Sequence, residues 1–213
     1  MSSITALKNS EIVSKLLDFL HLSEKLKCTL RHDWTSTGRQ ESVADHSWRL
    51  ALMVVLVAPH LEEAIDLEKA LQMAIIHDLA EAITGDIPYF EAPEGSKARV
   101  QKRQNEKIVM NQIVELSMGL GFPLKELWEE YEEGASFEAK IVKGLDLLES
   151  QIQQLEAGVA TWSENEEKDV FTDRVINKLA RINDFLYLFG SKTLILSRLA
   201  LGDFYERSKN KSR

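Results

Sequence analysis

Apolar residues recur every three or four positions along most of the chain, which is the period of the α-helix. Between Ile12 and Leu26 they fall at Ile12, Leu16, Phe19, Leu20 and Leu26, an amphipathic stripe. Val43 to Val57 carries Val43, Leu50, Val54 and Val57 on one face. Leu67 to Ile83 is apolar nearly all round and predicts a core helix, stopped at Gly85 with Pro88 beyond. Lys97 to Leu120 predicts a long polar helix closed by Gly119 and Gly121, Pro123 to Glu133 a short one, and Phe137 to Glu156 a second core helix. Asp173 to Leu188 and Thr193 to Tyr205 complete the set. No segment alternates at period two, and neither Asn-Gly nor Asp-Gly occurs. Arg31 to Gln40, Asp86 to Ser96 and Ala157 to Asp169 read as irregular, with the acidic Ser163 to Asp169 as a surface loop and Ser208 to Arg213 as a frayed basic tail. The expectation is one all-α domain, residues 1–213, of about eight to ten helices.

Composition narrows the function. Hydrophobic residues make up 44% and charged residues 28%, and 26 Lys+Arg against 34 Asp+Glu leave a net charge of −8. An acidic chain is poorly suited to polymeric nucleic acid, whose affinity comes mainly from Lys and Arg on phosphates. A small anionic substrate stays open, given a metal or a local Arg. The single cysteine, Cys28, forms no internal disulfide or thiolate cluster, which fits a reducing cytoplasm. The longest apolar run, Leu50 to Ala58, falls well short of the ~20 residues that span a bilayer. The start at Met1 shows no signal peptide, so a cytoplasmic protein without a membrane partner is expected.

Three polar positions conflict with the apolar pattern. His46 lies three after Val43 and four before Leu50, on the buried stripe of its helix. His77 stands in the most apolar helix, with Asp78 beside it and Glu81 four residues on. Asp146 borders the face formed by Ile141, Leu145, Leu148 and Ile152. A buried carboxylate without a cation partner is strongly unfavourable. Taken singly, each of these residues reads as a packing histidine or a salt-bridge acid. Taken together, two imidazoles and two carboxylates offer a divalent cation four N/O ligands and leave positions open for water.

The order His46, His77-Asp78, Asp146 resembles that of the HD-domain metal-dependent phosphohydrolases. The strings Glu41-Ser42-Val43-Ala44-Asp45-His46-Ser47 and His77 through Pro88, with Leu127 to Glu132 and Glu138 to Asp146, resemble its 5'-deoxynucleotidase branch. The resemblance implies a single HD domain, with a metal-binding core over about 42–150 and C-terminal helices over 170–207 packed on it. It implies one divalent cation (Mn, Co, Fe, Zn or Mg) held by His46, His77, Asp78 and Asp146, with Glu81 and Asp86 needed for turnover. An Arg and a Trp that contact phosphate and sugar correspond to Arg31 and Trp34, with Arg39 an alternative for the phosphate. It also implies a homodimer.

The activity expected from this resemblance is metal-dependent removal of the 5'-phosphate from deoxyribonucleoside monophosphates. The alternatives are an HD-type nucleoside di- or triphosphate hydrolase and a nucleotide-binding HD protein without catalysis. A cyclic-nucleotide phosphodiesterase would need further ligands for a second metal, and His21, His32 and His60 lie outside the helix positions that would serve it.

Overall fold

The computed structural model describes residues 3–117 and 120–211. Among them are ten α-helices: α1 (Ser3–Glu24), α2 (Val43–Val57), α3 (Leu67–Ile76), α4 (Glu81–Thr84), α5 (Lys97–Ser117), α6 (Leu124–Glu133), α7 (Phe137–Ala157), α8 (Glu164–Asp169), α9 (Arg174–Leu179) and α10 (Asp184–Lys211). The expected helical-bundle fold is found among these residues. Leu50 and Val54 of α2, Met73 and Ala74 of α3, and Ile141, Leu145 and Leu148 of α7 are fully buried. Each large side chain in this set contributes ~1.5–3 kcal/mol through burial. These three helices are the trunk, with α6 against α3 and α7, and α10 against α7 and α9.

Four local expectations are corrected. The first is the irregular segment Arg31 to Gln40, which forms an antiparallel hairpin of β1 (Leu30–Trp34) and β2 (Gln40–Ser42). Its turn is signalled by Gly38, at φ +79°, with the Gly38 N–H donating to Thr35 O at 3.0 Å. A loop of this length containing glycine is a hairpin cue despite the absence of Asn-Gly. Leu30 opposes Ser42 and Trp34 opposes Gln40. Three residues of β1 therefore face one of β2, a bulge that re-aims Arg31, His32 and Asp33.

The second correction is the end of the Leu67–Ile83 helix, which stops at Ile76. In a continuing helix the His77 carbonyl would accept from Glu81 N. Instead it accepts from Trp128 Nε1 at 3.3 Å, while Glu81 N donates to Asp78 O at 2.9 Å. His77 and Asp78 thus sit in a tightened turn rather than on a helix. Third, Ser163–Asp169 is no loop. Ser163 caps α8, accepting from Glu166 N while the Glu166 carboxylate accepts from Ser163 N at 2.6 Å. Fourth, the C-terminal break falls before Asp184 rather than between Leu188 and Thr193. Asn183 Oδ1 accepts from Phe185 N at 2.9 Å and starts one continuous helix, α10.

Within α10, Asp184–Arg207 is long and apolar enough to cross a membrane, contrary to the reading from the longest apolar run, although a third of it is buried in this fold. The expected stop at Gly119 and the end of the basic tail, 212–213, lie outside the described residues; 208–211 continue α10.

Gly144 lets α7 approach its neighbours closely. A Cβ there would stand 2.8 Å from Leu186 Cδ1 and 3.3 Å from Ile182 Cδ1. Gly144→Ala is expected to lower stability by ~1–3 kcal/mol through overpacking. A urea titration should show an earlier midpoint at an unchanged slope.

Candidate metal centre and its cavity

The centre begins with helix entry. Ser42 caps α2, its Oγ accepting from Asp45 N at 3.1 Å while the Asp45 carboxylate accepts from Ser42 N at 2.9 Å. This box fixes the first turn, so that His46, one residue on, points into the trunk with no solvent exposure. His77 arrives from the end of α3, Asp78 from the turn that follows, and Asp146 from the middle of α7.

Four acceptor atoms converge. His46 Nε2 lies 3.1 Å from Asp146 Oδ1, 3.3 Å from His77 Nε2 and 3.9 Å from Asp78 Oδ2. His77 Nε2 lies 3.0 Å from Asp78 Oδ2 and 4.0 Å from Asp146 Oδ1. Donors sharing one ion at bond lengths of ~2.1 Å stand about 3–4 Å apart, so the spacing fits a single cation.

The tautomers sharpen this fit. His77 Nδ1 donates to Ala74 O at 2.9 Å, and His46 Nδ1 donates to the Glu149 carboxylate. With both Nδ1–H groups engaged, both Nε2 atoms of the neutral rings present bare lone pairs to each other and to two carboxylates. Such a set is satisfied by a cation or by a captured proton. Burial and Arg31 disfavour a proton on His46, but Glu149 and Asp146 outweigh them and raise its pKa to about 10. Burial would raise Asp78, yet His77, His46 and Arg31 hold its carboxyl far below the usual range. The same opposition leaves Asp146 at about 2. The donor set suits a divalent cation, and N/O chemistry without thiolate admits several metals.

The support around His46 was not evident in the sequence. Glu149 is fully buried and accepts from Arg49 Nε at 2.6 Å, while Arg49 also reaches Glu156. His46 and Arg49 on α2 thus face Asp146 and Glu149 on α7, both pairs spaced i, i+3. The signal was an acid, Glu149, inside the apolar run that already marked Asp146. Glu41, His46 and Glu149 also cluster with ligand-type atoms. There Arg31 Nε, 3.2 Å from Glu41, and Arg49 supply the positive charge, so the group supports the centre rather than forming a second one.

Beside the centre opens a cavity of about 230 Å³, lined by Arg31, His32, Asp33, Asp78, Glu81, Asp86, Lys102, Asp146, Ser150 and Gln154 among others. Arg31 is mostly buried, its side chain 11% exposed, 3.6 Å from Asp78 and donating to Ser150 Oγ at 2.9 Å. Glu81 is 3% exposed; Lys102 Nζ donates to its Oε1 at 3.1 Å, while its Oε2 has no hydrogen-bond partner. Burial, then Asp78 and Asp86, raise the Glu81 pKa to about 9 against the pull of Lys102 and Arg31. Lys102 comes from the polar helix α5, where nothing in the sequence sets it apart from its neighbours. Tyr131 OH donates to Asp146 Oδ2 at 3.2 Å, another contact the sequence does not signal.

The structure therefore gathers His46, His77, Asp78, Asp146, Glu81, Asp86 and Arg31, the last from a strand rather than an exposed loop. It does not bring Arg39 or Trp34 to the cavity. Arg39 is exposed and donates to Asp45 at 2.8 Å, tied to the outside of the capping box. Trp34 is half-buried and outside the cavity lining, and its carbonyl accepts from Gln153 Nε2. The bulge places His32 next to Arg31 in the cavity wall instead.

The HD-domain family profile matches residues 23–183. The chain belongs to the HD-domain family. Human 5'-deoxynucleotidase HDDC2 is 38% identical over 144 residues, which cover 66% of this chain and 67% of the human protein. A protein from Magnetospirillum magnetotacticum MS-1, described as a predicted metal-dependent phosphohydrolase, has the same fold at TM-score 0.72. It is 24% identical, with 91% of this chain and 94% of that one covered. The PH0347 protein of Pyrococcus horikoshii OT3 is 32% identical at TM-score 0.63, over 86% and 99% of the two chains.

Outer partners of ligating histidines commonly tune metal affinity by 10–100-fold. Glu149→Gln in this HD-domain chain is expected to weaken divalent-cation binding by ~10-fold or more, measured by calorimetry with Mn or Co. Unchanged affinity would leave Glu149 a packing acid only.

Proposed function

We propose that this chain is a metal-dependent phosphomonoester hydrolase that removes the 5'-phosphate from deoxyribonucleoside monophosphates. The observation that carries the reading is the convergence of two imidazole nitrogens and two carboxylate oxygens beside the Arg31 guanidinium, at the edge of a cavity of about 230 Å³. The relatives named as 5'-deoxynucleotidases support the substrate class.

His46, His77, Asp78 and Asp146 would hold the cation, whose chemistry when bound is to acidify water near neutral pH and polarise a phosphoryl oxygen. The rest falls to the chain's own residues. Arg31, kept protonated by Asp78, Asp86, Asp33 and Glu149 despite its burial, binds the phosphate oxygens. Glu81 handles the proton through its unpartnered Oε2. Held protonated by burial and by Asp78 and Asp86, the carboxyl gives its proton to the departing 5'-oxygen and takes one from the attacking water, so it ends as it began. Lys102 holds the other Glu81 oxygen in place. Asp86, on the same wall, orients the water. Phosphoryl transfer asks mainly for such alignment and charge stabilisation.

The cavity lining carries nine carboxylates against five Lys and Arg. Lys102, Lys143 and Arg174 among these cations are already paired with Glu81, Glu132 and Asp169. This balance suits a phosphate dianion offset by a divalent cation. It opposes the long anionic tail of a di- or triphosphate.

Chelator treatment should abolish phosphate release from dAMP, and titration with Mn, Co, Fe, Zn or Mg should restore it and identify the preferred ion. Release from dATP but not from dAMP would overturn the monophosphate assignment. Glu81→Gln should retain calorimetric metal binding and lose ~100-fold or more in kcat, the usual scale of a lost proton-transfer group. Full activity in that variant would remove Glu81 from the proton step.

A further inference from the structure

One face of α7 acts as a ruler along the cavity. Asp146, Ser150 and Gln154 all line it, at i, i+4 and i+8. At ~1.5 Å per residue, Ser150 lies ~6 Å and Gln154 ~12 Å along the helix from the metal centre. Arg31 binds Ser150 in the middle. The far end differs in chemistry from both. Gln154 Nε2 donates to Glu166 Oε1 at 3.0 Å, and Asp33 Oδ2 lies 3.9 Å from the Arg31 guanidinium. Asp33 is 7% exposed and lines the cavity, yet its Oδ1 has no hydrogen-bond partner. The edge-on pair of Phe90 and His32, centroids 4.9 Å apart, flanks this end with aromatic surface.

A buried carboxylate oxygen without a donor is strongly unfavourable unless a ligand supplies an N–H or O–H. With a phosphate at the centre, the reach of ~12 Å along α7 carries a ligand past its sugar to its base. We infer that Asp33 reads the nucleobase, accepting a hydrogen bond from an exocyclic amino group. The cavity would then favour cytosine or adenine over keto bases such as uracil. The inference rests on the nucleotide reading above and adds a base preference to it. A keto oxygen at the same place would face the carboxylates of Asp33 and Glu166, two acceptors with no proton to share. Burial, opposed by Arg31 and reinforced by Glu166, raises Asp33 to about 6, so well above that pH it acts as an acceptor only.

The test compares kcat/KM for dCMP and dUMP, which differ by an amino for a keto group at one ring carbon, well above pH 6. 2-Deoxyribose 5-phosphate, which has no base, is the third substrate. A preference for dCMP on the order of 10-fold is expected, the scale of one ordinary net hydrogen bond gained or lost. Asp33→Asn, whose amide both donates and accepts, should bring the ratio close to one. Equal rates on dCMP and dUMP in the unaltered protein would overturn the inference without any variant. So would a loss in Asp33→Asn that is the same on all three substrates, which would make Asp33 a partner of the sugar or of Arg31. Should Asp33→Asn fail to fold, the ratio in the unaltered protein decides alone. Phosphate release from none of the three would instead defeat the phosphohydrolase reading.

Discussion

Two imidazole nitrogens and two carboxylate oxygens meet in one small space, where each ring has already given its Nδ1–H to another acceptor. Four lone-pair-bearing atoms at 3.0–4.0 Å repel one another unless a positive charge sits between them. Much of the surrounding structure makes this arrangement tolerable. Arg31 lies against Asp78, and Arg49 against Glu149. The apolar residues of α2, α3 and α7 then lock the helices that carry the ligands, since a close-packed trunk does not relax to separate like charges.

The outer contacts make fold and site hard to separate. Glu149 holds His46 by Nδ1 and is itself held by Arg49, so α2 and α7 are joined twice over the same two turns. The His77 carbonyl is taken by Trp128, which ends α3 and lets two consecutive residues serve one centre. The β1–β2 bulge likewise brings three successive side chains to the cavity wall. In each case irregular backbone places a functional group that regular structure would turn away.

Beyond the centre, the cavity is organised along α7 rather than around it. The charge changes in order from the acceptor cluster, through the Arg31 guanidinium, to the Asp33, Gln154 and Glu166 group. Glu81 and Lys102 also line the cavity, joined by an ion pair that leaves one Glu81 oxygen unpartnered. A nucleoside monophosphate has matching parts in matching order: a dianion, a neutral sugar and a base with hydrogen-bonding edges.

The amino-acid sequence by itself determined the helical trunk and the metal-ligand candidates. The periodic apolar stripes of α2 and α7 are strong local signals, and polar residues lodged within them, such as His46 and Asp146, stand out against that background. The glycine and proline after Ile83 marked the segment's end but not its internal break. Tertiary contacts decided the rest: Trp128 capturing the His77 carbonyl, Asn183 starting one continuous α10, and Lys102 reaching Glu81 from a helix whose other residues are equally polar. They also chose between the two arginines. Arg31 and Arg39 are indistinguishable as residue types near the same motif, but the hairpin turns one inward and the capping box holds the other at the surface. Such choices depend on partners distant in the chain, which local pattern does not encode.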